Sequence, residues 1–241
     1  MKKSQCTYLI SIKLGEGGWS LELLKDFINE QIYVEVSGNI LHKGILIAFG
    51  TDILVLYNGK DFLYIPIIHI HKVNKKDDDS SDISSFEGKW DDDSNETISF
   101  RKILNNARGL FSEITIANNH TIHGYVVSVM NNYVVFYSPV YRTVYISLQH
   151  LKWLIPYKDQ QPPYALSKEN LPVNPFNIPL ARTFEEQLKR FMNQMVIFDL
   201  GHDHSKIGQL QTIENSIVKL ITARQIPSFV NLRHVKTIHI P

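Results

Sequence analysis

"YIPIIHIHKV" occupies residues 64–73, and the same stretch returns twice, as "YISLQHLKWL" at 145–154 and "FVNLRHVKTI" at 229–238. Working outward from it, a glycine lies upstream each time: "KGILIAF" from Lys43, "HGYVVSV" from His123 and "IGQLQTI" from Ile207. The spacings from Gly44 to His69, Gly124 to His150 and Gly208 to His234 are 25, 26 and 26 residues. Before each glycine a helical pattern runs into a strand pattern: "LELLKDFINEQIYVEV", "FRKILNNARGLFSEITIA" and "FEEQLKRFMNQMVIFDL". Order and spacing together predict a triplicated unit of roughly 80 residues, because self-similarity at a fixed period marks repeated supersecondary structure.

Within the first unit, Leu21, Leu23, Leu24, Phe27 and Ile28 give a short amphipathic helix with Ser20 as its N-cap. In the third, Thr183 with Glu186 three residues on forms a capping box. Strands follow as "QIYVEV", "KGILIAFG", "DILVLYN", "DFLYIPI" and "IHKV", separated by turn signals such as "GTD" and "NGKD". One helix and five short strands predict a small, strongly bent barrel, with Gly44, Gly124 and Gly208 at the bend of the second strand. A small open barrel leaves two sheet edges, by which three barrels on one chain join internally or take partners.

His69 and His71 would share a face if the strand ran through both, and two imidazoles on one face are half of a metal site. The sister stretches carry Lys152 and Lys236 where His71 stands, and lysine is a poor ligand. His69, His150 and His234 are therefore read as structural: buried where a turn enters the last strand, each ring bonded to backbone of its own unit. "HDH" at 202–204 lies in a polar loop without a counterpart in the first unit and is discounted as a metal pair. No cofactor is expected.

The boundaries follow from composition: barrel one over 1–73, an acidic linker over 74–98, barrel two over 99–155, a proline-rich linker over 156–179, and barrel three over 180–241. The acidic linker has a net charge of −6, and the second linker holds six of the ten prolines. Asp77–Asp79 and Asp91–Asp93 lack the turn glycine and spaced oxygens of a calcium loop. The net charge of the 241-residue chain is +1, so no bulk attraction to nucleic acid or membrane follows. No run approaches the ~20 apolar residues of a membrane helix. Cys6 is the single cysteine, which excludes an internal disulfide framework, and the N-terminal apolar stretch is too short for a signal peptide, so folding in a cytosol is expected. "GEGG" at 15–18 lacks the lysine and context of a phosphate loop, carboxylates do not recur between units, and no acid/base pair or Ser/His/Asp set stands out.

The stretch "FINEQIYVEVSGNILHKGILIAFGTDILVLYN" resembles the Sm/Lsm signature, which implies an Sm-like or SH3-like barrel. Sm-like proteins bind single-stranded RNA through an Arg-Gly loop before the last strand, and no Arg-Gly pair stands at that place here. The chain also resembles spore coat proteins of the CotB type, which carry three tandem units ending in a motif like His-[Ile/Val]-Lys-Ser-Ile. "HVKTI" at 234–238 carries this best, ahead of "HLKWL" and "HIHKV". The Gly-Gly-Pro-Glu-Ser type of hairpin that the family places before the glycine is replaced by "SGNILHKG", "NNHTIHG" and "LGHDHSKIG".

The second resemblance implies a non-enzymatic structural protein of the bacterial endospore coat, made in the mother-cell cytoplasm and deposited on the forespore. Its partners would be other spore coat proteins and itself, with no nucleic acid and no membrane. An Sm-like nucleic-acid-binding protein is the alternative.

Overall fold

The computed structural model describes residues 21–75, 83–84, 98–159, 162–167, 169 and 179–241. The chain is mainly β, with few helices, and divides into two compact units, Met1–Phe100 and Arg101–Pro241. Ser20, the metal-ligand candidates in the acidic linker and half of the proline-rich linker lie outside the described residues.

In the first unit, the short helix expected here is a 3-10 helix over Leu21–Phe27, with Leu24 buried. Five strands follow: β1 (Gln31–Val36), β2 (Ile40–Phe49), β3 (Ile53–Tyr57), β4 (Phe62–Pro66) and β5 (Ile70–Lys75). They pair antiparallel in the order β4-β3-β2-β1-β5.

The second unit has α1 (Phe100–Asn106), which begins at the boundary residue, and α2 (Phe184–Lys189). Its strands are β6 (Phe111–Ile116), β7 (His120–Val129), β8 (Tyr133–Ser138), β9 (Arg142–Ser147) and β10 (Leu151–Pro156), then β11 (Met195–Phe198), β12 (Ile207–Glu214), β13 (Ile217–Ile221), β14 (Pro227–Asn231) and β15 (Thr237–His239). The order is β14-β13-β12-β11-β15-β9-β8-β7-β6-β10. Thr183 caps α2 with both bonds of the capping box, as its sequence predicts.

These sheets are open, which corrects the expectation of three barrels. Closure would require the fourth and fifth strands of a set to pair, and they do not. Between β6–β10 and β11–β15 the reason is visible: the outer edge of β15 is taken by β9, through Thr237↔Ile146, Ile238↔Tyr145 and His239↔Val144. A strand has two edges, and one already used by a neighbouring set cannot also close its own.

The three glycines occupy matching registers. Gly44 faces Ile32, Gly124 faces Ser112 and Gly208 faces Val196, each in the second strand of its set. A β-carbon at Gly44 would lie 2.6 Å from the Tyr57 carbonyl oxygen, and one at Gly208 would lie 2.5 Å from that of Ile221. At Gly124 the Tyr137 carbonyl leaves still less room. The third strand thus crosses too close for any side chain. Two residues further on, each second strand carries a register shift, at Leu46/Ala48, Val126/Ser128 and Leu210/Thr212. Such bulges bend a strand and raise its twist.

Candidate interaction edges

Two features carry the chemistry of this chain: a junction between strand sets inside the second unit, and an edge of similar design that stands open. The junction is built from β8 and β9 on one side and α2 with β15 on the other. Tyr133, Val135 and Tyr145 share a buried cluster with Phe184, Leu188 and Phe191. The Tyr133 ring centroid is 6.0 Å from that of Phe184, and Tyr145 is 5.2 Å from Phe191. The Tyr133 hydroxyl donates to the Ala181 carbonyl at 2.7 Å and lies 3.2 Å from Gln187 Oε1. Burial pushes the hydroxyls of Tyr133 and Tyr145 up to about 12. Backbone bonds align the two sides: Phe184 N–H donates to Asn132 Oδ1 at 2.8 Å, Asn131 N–H to the Arg182 carbonyl, and Ser147 N–H to the Lys236 carbonyl. In the first unit, Asp52 and Thr51 make contacts of the same form. Phe100 N–H donates to Asp52 Oδ1 at 2.7 Å, and Thr51 N–H to the Ile98 carbonyl.

A polar network borders the junction. Asp199 is buried, and its carboxylate accepts from Lys206 Nζ, Lys236 Nζ, and the backbone N–H groups of Lys236 and Thr237. Burial alone would raise its pKa. The Lys206 hydrogen bond, the Lys236 N–H and the charges of both lysines outweigh burial and hold it below the usual carboxylate range. Beside it, His120 and His202 stack with centroids 4.0 Å apart. Burial, His202 and Lys236 hold His120 below its ordinary value, against the opposing pull of Asp199.

The repeated histidines differ from one another, contrary to the expectation of three buried rings. Each closes a three-residue 3-10 turn before the last strand: Ile67–His69, Leu148–His150 and Leu232–His234. His69 is buried, with Nδ1 3.4 Å from Ser37 Oγ. His150 is half-buried, and its Nε2 lies 2.9 Å from the Arg233 carbonyl oxygen, which belongs to the next strand set rather than its own. His234 is exposed. His71 is exposed while His69 is buried, because the 3-10 turn breaks the alternation that would have put them on one face. The lysines of the motif have defined tasks. Lys152 is buried and its Nζ donates to Asn119 Oδ1 at 3.0 Å, while Lys236 reaches Asp199. Both tie the last strand to the turn between the first and second strands of a set. "HDH" contributes His202 to the stack, a role its loop position concealed.

The open edge is β14. It pairs with β13 and with no other strand among the described residues. Phe229 on it is 67% exposed, whereas Tyr145, the first residue of the matching quoted stretch, is 1% exposed. Ile217, which opens β13, is 40% exposed, whereas Tyr133, which opens β8, is 0% exposed. Leu232 N–H donates inward to the Ser216 carbonyl, so strand alternation turns the N–H groups of Phe229 and Asn231 outward. In the first unit, β5 likewise pairs with β1 alone among the described residues. Sequence reasoning did not single out Phe229, although its place beside Tyr64 and Tyr145 at the head of the recurring stretch was the available signal.

Among the described residues no helix is long and apolar enough to cross a membrane. Residues 183–238 match the family described as YwrJ third domain, a span that runs from the α2 cap to β15 and so covers one whole side of the junction. The chain is 40% identical over 222 residues to "Uncharacterized protein YwrJ" of Bacillus subtilis (strain 168), covering 90% of this chain and 99% of that protein. At that identity and coverage the chain belongs to the YwrJ family.

Proposed function

We propose that this chain is a non-enzymatic assembly protein of the bacterial endospore coat, built from three copies of one bent five-stranded unit, of which the second and third join edge to edge. The observation that carries the assembly reading is the pairing of β15 with β9, in which the last strand of one set completes the outer edge of another. A protein that builds its own interior by adding strand to edge, and leaves β14 open, has the chemistry to add further strands. The triplication is supported by the shared glycine registers and by the bulge two residues after each glycine. The coat assignment, of the CotB type, rests on the resemblance of "HVKTI" and its sister stretches, and on the number and spacing of the units.

Fractionation of spores with antibody localisation tests the assignment. The protein is expected in the coat fraction, and its deletion is expected to change coat composition. A protein confined to the cytosol of growing cells, with coat composition unchanged on deletion, overturns it.

A further inference from the structure

We infer that the open edge of β14 is an interface for a second copy of this chain, seated on the partner's β5, an inference that rests on the assembly reading above. The template is internal. Within the second unit, the edge of a fourth strand (β9) receives a fifth strand (β15), and the ring of Tyr145 is buried by it and by Phe191. Among the described residues β14 is a fourth strand whose outer edge takes no strand, and β5 is a fifth strand in the same position.

The recurring stretch fixes the register. Asn231 stands where Ser147 does and His71 where Lys236 does, so the Ser147-to-Lys236 bond becomes one from Asn231 N–H to the carbonyl of His71 in the second copy. Val230 then faces Lys72, Phe229 faces Val73, and Ser228 faces Asn74. This puts Phe229 over Val73 as Tyr145 stands over Ile238. The outward N–H groups of Phe229 and Asn231 find acceptors. Pro227 has no N–H to offer, which ends the ladder at the length that β9 and β15 use. Exposed Phe229, Ile217 and Ile226 are the apolar surface such an interface would cover.

Single-cysteine chains test this in a Cys6→Ser background. One chain carries His71→Cys and the other Asn231→Cys, both at exposed positions. Directly opposed residues in an antiparallel pair place their Cα atoms within disulfide reach. Mixing the two under mild oxidation is expected to give the mixed disulfide, whereas each chain alone, or His71→Cys with Lys219→Cys, gives little. In parallel, Phe229→Asp is expected to weaken self-association measured by sedimentation at least tenfold, with an unchanged unfolding midpoint. A chain that stays monomeric at every accessible concentration and forms no mixed disulfide overturns the inference. If the wild type but not Phe229→Asp captures a different coat protein while remaining monomeric, the second copy is overturned and the assembly reading stands. If an N-terminal segment of the same chain protects Phe229 from labelling in the monomer, the second copy is likewise overturned.

Discussion

Strands β8–β9 and β13–β14 are hairpins of the same connection, and one is covered on both faces while the other is covered on one. β8 is buried at all six positions, with Tyr133 and Val135 turned toward α2 and the alternate residues toward their own set. β13 alternates: Val218 and Leu220 are buried, Ile217 is exposed, and Lys219 stands in the place of Val135. The sequences differ accordingly, "YVVFYS" against "IVKLI". A strand that receives a neighbour on its second face reads as a continuous apolar run, and one that does not keeps the period-two pattern. The difference lies in what meets each hairpin: α2 packs on Tyr133 of β8 and β15 pairs with β9, whereas the outer edge of β14 takes no strand among the described residues.

The sharpest way to break this comparison is through the glycines. Gly124→Val pushes a branched side chain into the Tyr137 carbonyl between strands that are covered on both sides. It is expected to cost more than about 3 kcal/mol. Gly208→Val meets Ile221 next to strands with one open face, which can shift outward, and should cost about 1–2 kcal/mol. Urea denaturation of both variants reads the difference, and equal losses would mean that the second covering layer adds no rigidity.

The aromatic pair gives the next contrast. Tyr145→Ala empties a site walled by Phe191 and Ile238 and should cost about 3–5 kcal/mol. Phe229→Ala, at the corresponding head of its stretch, should move stability by no more than about 0.5 kcal/mol in dilute solution. A large loss at Phe229 under those conditions would show that its ring is already covered in the monomer.

Asp199 ties the polar border of the junction. Asp199→Asn keeps the shape and removes the charge that Lys206 and Lys236 share, at an expected cost of about 1–3 kcal/mol by thermal or urea unfolding. Its folded pKa is below the unfolded one, so its contribution is present above the ordinary 3.8 and is lost as pH falls through the folded value. Burial holds His150 and His239 below their ordinary 6.5, so the unfolded chain takes up their protons first. Stability from these histidines is full above pH 6.5 and declines as pH falls from there toward the folded values. Unfolding midpoints across that range should fall in two stages, histidines first and Asp199 below. His150→Gln should flatten part of the first stage; a curve that stays flat from pH 7 to pH 4 would remove the histidines from the account, and one with no further fall below 3.8 would remove Asp199.

The smallest expected effect concerns nucleic acid. Binding driven by phosphates needs a continuous basic track and weakens steeply with salt. The +4 of residues 99–155 and the +3 of 180–241 are separated in sequence from the neutral 1–73 by a segment of −6. Titration with uridine- or adenosine-rich single-stranded RNA at ~150 mM salt is expected to show no specific binding. Sub-micromolar affinity would favour the Sm-like alternative over the assembly reading.

The sequence by itself determined the β-rich class, the strand segments, the α2 capping box and the register of the three glycines. All of these rest on local pattern: period-two alternation, turn chemistry, and a residue type that a close backbone approach demands. It also carried the recurrence that makes Tyr64, Tyr145 and Phe229 comparable at all. Only the tertiary structure decided that the sheets stay open, since closure depends on which edge each last strand meets, and β15 meets β9 rather than β14. It likewise decided the fates of three histidines in one motif. Exposure is a property of what lies opposite a side chain, and three rings at the same turn face Ser37, the Arg233 carbonyl and solvent in turn. The Asp199 network was illegible for the same reason: its carboxylate and the Lys236 ammonium are 37 residues apart and meet only because the last strand folds back beside the first of its own set.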